Sequence, residues 1–204
     1  LLLHDGNEES LGLHSLRWNT YTYFRNKLAG FYVTYRLGFD TKEQHLLNIS
    51  QNINSKDIYH QHSTYITPSI SYETEDIELN ASGKLSWLHR NFNSEKKDNF
   101  LFEPILFISY KLTSDLKTIL TYSYMWMPSG INDLSASPIY TDYVSMTEGL
   151  GHLDNTMIHT IRNFWSYRNA ISGFFANADF SYTNLRNAIL YSSSYKTDYY
   201  QRIA

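Results

Sequence analysis

Between Ile77 and Trp87 the chain alternates without a break. Ile77, Leu79, Ala81, Gly83, Leu85 and Trp87 occupy one parity, and Glu78, Asn80, Ser82, Lys84 and Ser86 the other. A period of two sends successive side chains to opposite faces of an extended strand. A helix would instead gather Glu78, Ser82 and Leu85 on one side. The pattern recurs along the chain. Phe31, Val33, Tyr35, Leu37 and Phe39 oppose Thr34, Arg36 and Asp40. Phe100, Phe102, Leu106, Ile108, Tyr110 and Leu112 oppose Glu103, Ser109 and Lys111. Leu120, Tyr122, Tyr124 and Trp126 oppose Thr121 and Ser123, and Phe174, Ala176, Ala178, Phe180 and Tyr182 oppose Asn177, Asp179, Ser181 and Thr183.

The alternation predicts about ten strands, over residues 13–24, 29–39, 44–53, 63–74, 77–91, 99–112, 117–127, 157–167, 174–184 and 187–200. Most are about ten residues or longer, the length that crosses a bilayer at a tilt; strands of ordinary globular domains run to about 5–6. Residues 40–43, 74–76, 113–116 and 168–173 read as short turns, and residues 52–62, 91–99 and 128–156 as longer or more polar loops. The connection at 25–29 is short although it falls on the long-loop side. Short turns at one end and long loops at the other are the layout of an outer-membrane barrel, with turns periplasmic and loops outside. Aromatic residues gather toward strand ends, at Trp87 and Phe92, Tyr122 to Trp126, and Trp165 and Tyr167. Two interfacial girdles would place them there, although aromatic β-propensity accounts for part of the clustering.

Composition narrows the classes. Among 204 residues there are 18 Tyr, 11 Phe and 4 Trp, so aromatic side chains make up 16% of the chain. A net charge of -3 offers no broad basic surface for nucleic acid. With no cysteine there is no disulfide framework, thiolate zinc site or catalytic thiol. No apolar run reaches the roughly 18 residues of a transmembrane helix. The polar mean hydropathy does not exclude a membrane barrel, whose strands alternate lipid-facing and lumen-facing residues. The opening LLLHDGNEES is too short for a secretion signal, so the chain reads as a trimmed precursor or as an internal piece of something longer.

The stretch at 128–156 is the least repetitive, and the layout makes it an extracellular loop. It holds Asn132, Asp133, Tyr140, Asp142, Tyr143 and His152, close in sequence to Trp126. Aromatic platforms with amide and carboxylate partners suit sugars or peptides, and long loops on rigid scaffolds are where binding tends to reside. Asn132 and Asp133 also fit a turn-capping role. His60 and His62 share one side of an extended segment, but no third ligand is predictable, so no metal is expected. The run at 94–98 reads as a solvated hairpin tip. Arg36, Glu73, Glu78, Lys84, Arg90, Glu103, Lys111 and Asp179 read as lumen-facing. No phosphate loop, nucleophile elbow or HExxH motif occurs, so neither enzymatic activity nor a cofactor is expected.

Residues 65–195 resemble the barrel of TonB-dependent outer-membrane transporters of the Bacteroidetes type. The resemblance rests on PSISYET at 68–74, FEPILFISYKLTSDLKTILTYSY at 102–124, GINDLSASPIYTDYVSM at 130–146 and WSYRNAISGFFANADFSYTNLRNAIL at 165–190. Ile131 to Leu134 with Tyr143 match the family's loop, and Tyr167 to Asn169 with Phe174 to Asn177 match its hairpin; Ala170 stands where the family often has Pro. The resemblance implies an all-β, antiparallel transmembrane β-barrel over residues 1–204, part of a larger barrel of about 22 strands. It implies a nutrient transporter of the cell outer membrane whose outer loops receive substrate. Its partners would be outer-membrane lipid, an inner-membrane energy-coupling complex and a surface lipoprotein. No plug domain or coupling segment is recognisable. Two alternatives remain at this stage: a small structural or adhesin-type barrel without transport, and a soluble carbohydrate-binding β-sandwich.

Overall fold

The computed structural model describes residues 2–4, 7–50, 53–142, 145–195 and 200–203. Nine strands form one antiparallel sheet. They are β1 (Leu2–His4), β2 (Asn7–Leu28), β3 (Phe31–Ser50), β4 (Ile53–Glu73), β5 (Ile77–Phe92), β6 (Glu95–Lys111), β7 (Leu116–Pro128), β10 (Asn155–Asn169) and β11 (Phe174–Arg186), in that spatial order. Between β7 and β10 lie a single helical turn, α1 (Ile131–Leu134), and the short strands β8 (Ile139–Asp142) and β9 (Ser145–Glu148). With β12 (Ser192–Tyr195) and β13 (Tyr200–Ile203) they make a second sheet in the order β12-β13-β9-β8, in which β13 runs parallel to β9.

The all-β, antiparallel character is as expected, but the strands are longer and fewer. Eight, not about ten, are long, at 13 to 22 residues. Residues 40–43 are not a turn. Asp40 pairs with Asn19 and Lys42 with Arg17 inside a ladder unbroken from Ser10↔Ile49 to Leu28↔Phe31. The charged run alternates faces as any strand does, and Arg17 Nη2 stands 3.0 Å from Asp40 Oδ2. Residues 53–62 likewise belong to β4, and the 91–99 loop shrinks to a reversal at Asn93 and Ser94, with Asn93 at φ 53°. Polar residues there mark strands that leave the apolar zone while still paired. Among the described residues of 187–200, strand is found at β12, of four residues, and at Tyr200, the first of the four residues of β13.

Fusing 29–39 with 44–53 removes one chain reversal. The turn at Ala29 and Gly30 then falls at the same end as the other tight turns, and the odd short connection at 25–29 disappears. Both residues have positive φ, 47° and 88°, as a two-residue hairpin with the twist of its flanking strands requires.

The register aligns the parities across the whole sheet. One face, the concave one, carries Arg17, Asn19, Arg36, Asp40, Lys84 and Glu103 and lines an open cavity of about 490 Å³; among the described residues the sheet does not close into the barrel expected from the sequence. All eight charged residues read from the sequence as lumen-facing share this concave parity. The convex face is apolar from Ile77 to Trp87 on β5, from Phe31 to Phe39 on β3 and from Phe100 to Tyr110 on β6. Ten steps of about 3.3 Å give about 33 Å along β5. Tilted by about 45°, that is close to the ~25 Å apolar band of an outer-membrane barrel. Phe102 lies flat across Gly83, where a Cβ would come within 2.5 Å of its ring, so glycine keeps the aromatic cover continuous.

Leu106 takes the convex parity and Ser109 the concave one. Ser109 is buried at 4% exposure, so Thr121, half-buried on the concave face, is the better comparator. Leu106→Arg should lower the unfolding free energy in vesicles by about 2–4 kcal/mol, and Thr121→Arg by clearly less. Denaturant titration followed by tryptophan fluorescence checks this; equal losses would mean that the faces are reversed.

Candidate functional site

The site has a floor and a roof. The floor is the polar concave wall of β2 to β7. Asp40 accepts from Arg17 Nε at 3.1 Å and from Asn19 Nδ2 at 3.0 Å. Lys84 Nζ lies 3.2 Å from Glu103 and sits 5.3 Å from the Tyr65 ring centroid. The β6–β7 ladder stops at Ile105↔Ser123. Above that point Glu103 Oε1 accepts from the Trp126 backbone N–H at 3.0 Å, replacing the missing ladder partner. Cations over tyrosine faces and carboxylates that orient arginine and asparagine suit a polar, hydrated solute.

The roof is the segment between β7 and β10. It does not project freely as the extracellular loop read from the sequence. Ile131, Leu134, Ile139 and Leu153 pack with Leu46, Tyr59 and Phe92, which sit on the concave face of β3, β4 and β5 above the cavity. Each of the seven is at most 5% exposed. Polar ties surround this core. Asp57 accepts from Ser135 Oγ and from Asn93 Nδ2, the latter at 2.8 Å. Asn48 Nδ2 donates to Pro138 O at 2.6 Å. Glu95 accepts from the Leu153 N–H at 2.8 Å, Lys97 Nζ donates to Leu153 O at 3.0 Å, and Arg90 Nη1 donates to Asp154 O at 3.2 Å. Arg90 is fully buried, and its Nη2 also donates to Asn99.

The sequence-predicted residues do not converge on one another. Asp133 caps the turn: its Oδ2 accepts from the Gly130 N–H at 3.3 Å and its Oδ1 from the Tyr191 hydroxyl. Burial and the Asp133 carboxylate push the Tyr191 phenol up to about 12. Asn132 and His152 are exposed, the latter with Nδ1 3.0 Å from Leu150 O. Trp126 is half-buried and touches the floor through its backbone. Backbone pairing places Tyr140 opposite Met146 and Asp142 opposite Ser145 in the second sheet; Tyr143 lies outside the described residues. His60 and His62 sit on the convex face, away from the cavity. Among the described residues no group of three or more His, Asp or Glu is placed to hold a metal. The residues missed were Asp57, Glu95, Lys97 and Asp154; Arg90, read from the sequence as lumen-facing, joins them at the roof. The signal was available in the 94–98 run, where period two divides Glu95 and Lys97 from Lys96 and Asp98.

A solved structure has a similar fold. The chain is similar in fold to the alcaligin outer membrane receptor FauA from Bordetella pertussis. The TM-score is 0.54 at 12% sequence identity, over 92% of this chain and 32% of the receptor chain. At that identity the likeness speaks for the fold alone, and the chain spans about a third of the receptor's length. No family model matches the chain, and no curated protein does.

Two outcomes follow from the roof. Leu134→Ala should cost about 2–5 kcal/mol and open residues 129–154 to protease before the long strands are cut, measurable by limited proteolysis. Tyr191, followed by NMR with labelled tyrosine, should titrate near pH 12, and Asp133→Asn should bring it down toward the ordinary value of about 10. Because the folded value is raised, the stability this contact contributes is complete below about pH 10 and is lost as pH climbs toward 12.

Proposed function

We propose that the chain is a barrel segment of a TonB-dependent nutrient transporter in the cell outer membrane. The observation that carries this reading is the pairing of a bilayer-height apolar band on the convex face with a charged, cavity-forming concave face on the same strands. A soluble sandwich would bury its apolar face against a second sheet. Here Trp87, Phe100 and Phe102, on the convex face, remain 50% to 75% exposed. The receptor fold supports the same reading.

The edges of the sheet favour a larger barrel over a small closed one. From Ser10 onward the described side chains of β2 are exposed, β1 covers only Asn7 to Glu9, and β11 is exposed along nearly its whole length. In a membrane those edges need hydrogen-bond partners, and further strands of the same barrel would supply them. In this reading residues 1–204 are barrel wall, and the segment at 128–156 is a loop on the extracellular side that folds back into the lumen. Substrate of polar character meets the roof first and then the charged floor; Trp126, Asn132, Asp133, Tyr140, Asp142, Tyr143 and His152 are its candidate contacts. The function is reception and passage rather than catalysis. The resemblance of 68–74, 102–124, 130–146 and 165–190 to Bacteroidetes-type barrels extends the proposal to an inner-membrane energy-coupling complex and a surface lipoprotein as partners.

The test is biochemical. The protein should remain in outer-membrane pellets through an alkaline carbonate wash and should migrate faster unboiled than boiled on a denaturing gel. Release into the carbonate supernatant without detergent would end the membrane reading.

A further inference from the structure

Five of the eight histidines fall on one patch of the convex face. The register gives their heights. On β3, β5 and β6 the continuous apolar run ends at the row of Phe39, Trp87 and Phe100, while on β2 Trp18 and Leu16 extend it by two rows. The next row toward the loop end contains His62 and His89, which are direct cross-strand partners. The row above holds Glu43 and His60, also partners, and the one above that His14 and His45. Each row adds about 5 Å of height for a tilted strand. The histidines therefore begin one row above the continuous apolar run of β3, β5 and β6, in rows they share with Trp18 and Leu16 of β2 and Ile58 of β4, the mixed aromatic and polar composition of a headgroup level.

The imidazoles are held in place. His89 Nδ1 is 2.6 Å from Asp98 and His45 Nε2 is 2.6 Å from Glu43. His62 Nδ1 is 2.8 Å from Thr41 Oγ1, with its ring stacked on Phe39. His45 lies between His14 and His60, at ring-centroid distances of 6.3 and 6.1 Å. Among the residues whose side chains are described, the other charged groups on this face of β2 to β6, above the apolar run, are Glu43, Lys56, Lys96 and Asp98. These two acids balance these two lysines, so with neutral imidazoles the described groups carry no net charge. With all five imidazoles protonated they carry five positive charges. Imidazole makes that change between about pH 5 and pH 8.

We propose that this histidine patch binds the phosphate groups of anionic headgroups in the membrane leaflet around it, and grips them more tightly as the medium acidifies. The proposal rests on the membrane reading above. It goes further by naming a second, lateral ligand surface, on the opposite face from the cavity. The occupant follows from position and charge. The patch is continuous with the lipid-facing band, it is level with headgroups, and it turns cationic where phosphate stays anionic.

The experiment uses the full-length protein in detergent, mixed with phosphatidylcholine and phosphatidylglycerol, repurified, and analysed for retained lipid by native mass spectrometry. Retained phosphatidylglycerol should rise several-fold between about pH 8 and about pH 5.5, with phosphatidylcholine unchanged. Replacing His14, His45, His60, His62 and His89 by Gln should abolish the rise. A second variant, Glu43→Gln with Asp98→Asn, removes only the negative charges and should raise phosphatidylglycerol retention at both pH values. Retention flat with pH, a rise that survives loss of the histidines, or no response to loss of the two acids would overturn the proposal. If both lipids are retained alike at both pH values, the membrane reading stands and this inference fails; if neither lipid associates and no detergent is needed, both fail.

Discussion

Backbone hydrogen bonding between neighbouring long strands is the constraint from which the rest follows. A peptide group in hydrocarbon has no water to bond, so a chain crossing a bilayer in strands must find every partner in the strand beside it. The ladder from β2 to β6 runs with one interruption, at Thr67 and Pro68, where proline has no N–H to give. Such continuity lets Phe100, Phe102 and Trp87 stand exposed on one side without polar backbone exposed beside them. It also fixes faces: a slip of one residue would turn every convex apolar side chain to the concave side.

Above the apolar band the same strands continue as a different material. There the concave face is covered by the segment between β7 and β10, and a small dry core forms around Leu46, Tyr59, Phe92 and Leu134. Burying Arg90 beside it carries a desolvation cost, offset in part by Asn99 and the Asp154 carbonyl. The ties at Asp57, Glu95 and Lys97 join strand side chains to the backbone and hydroxyls of the segment. A loop held by its backbone keeps its path while its exposed side chains, such as Asn132 and His152, stay available to solute. The opposite, convex side of the same level is polar and rich in histidine, so one stretch of strand serves two environments at once.

The sequence determined the strand character and the two faces. Alternation from Ile77 to Trp87 and from Phe31 to Phe39 is a local property, set by side chains two apart, and it needs no knowledge of partners. The eight charged residues read as lumen-facing were found because parity survives any strand length. Absence of a long apolar run and of cysteine limited the classes in the same way. What the sequence could not separate was a turn from a polar strand. Residues 40–43 and 53–62 have loop composition, and only pairing with Arg17, Asn19 and the β4 ladder makes them extended.

Tertiary structure alone decided the curvature, the inward fold of the 129–154 segment and the grouping of the histidines. Leu134 and Tyr59 are 75 residues apart, and His14 and His45 are 31 apart; no local periodicity links them. They meet because register stacks five strands at fixed heights and because apolar side chains in an otherwise polar loop must leave water. The faces are written in nearest-neighbour alternation, whereas the roof and the patch depend on which strands stand side by side.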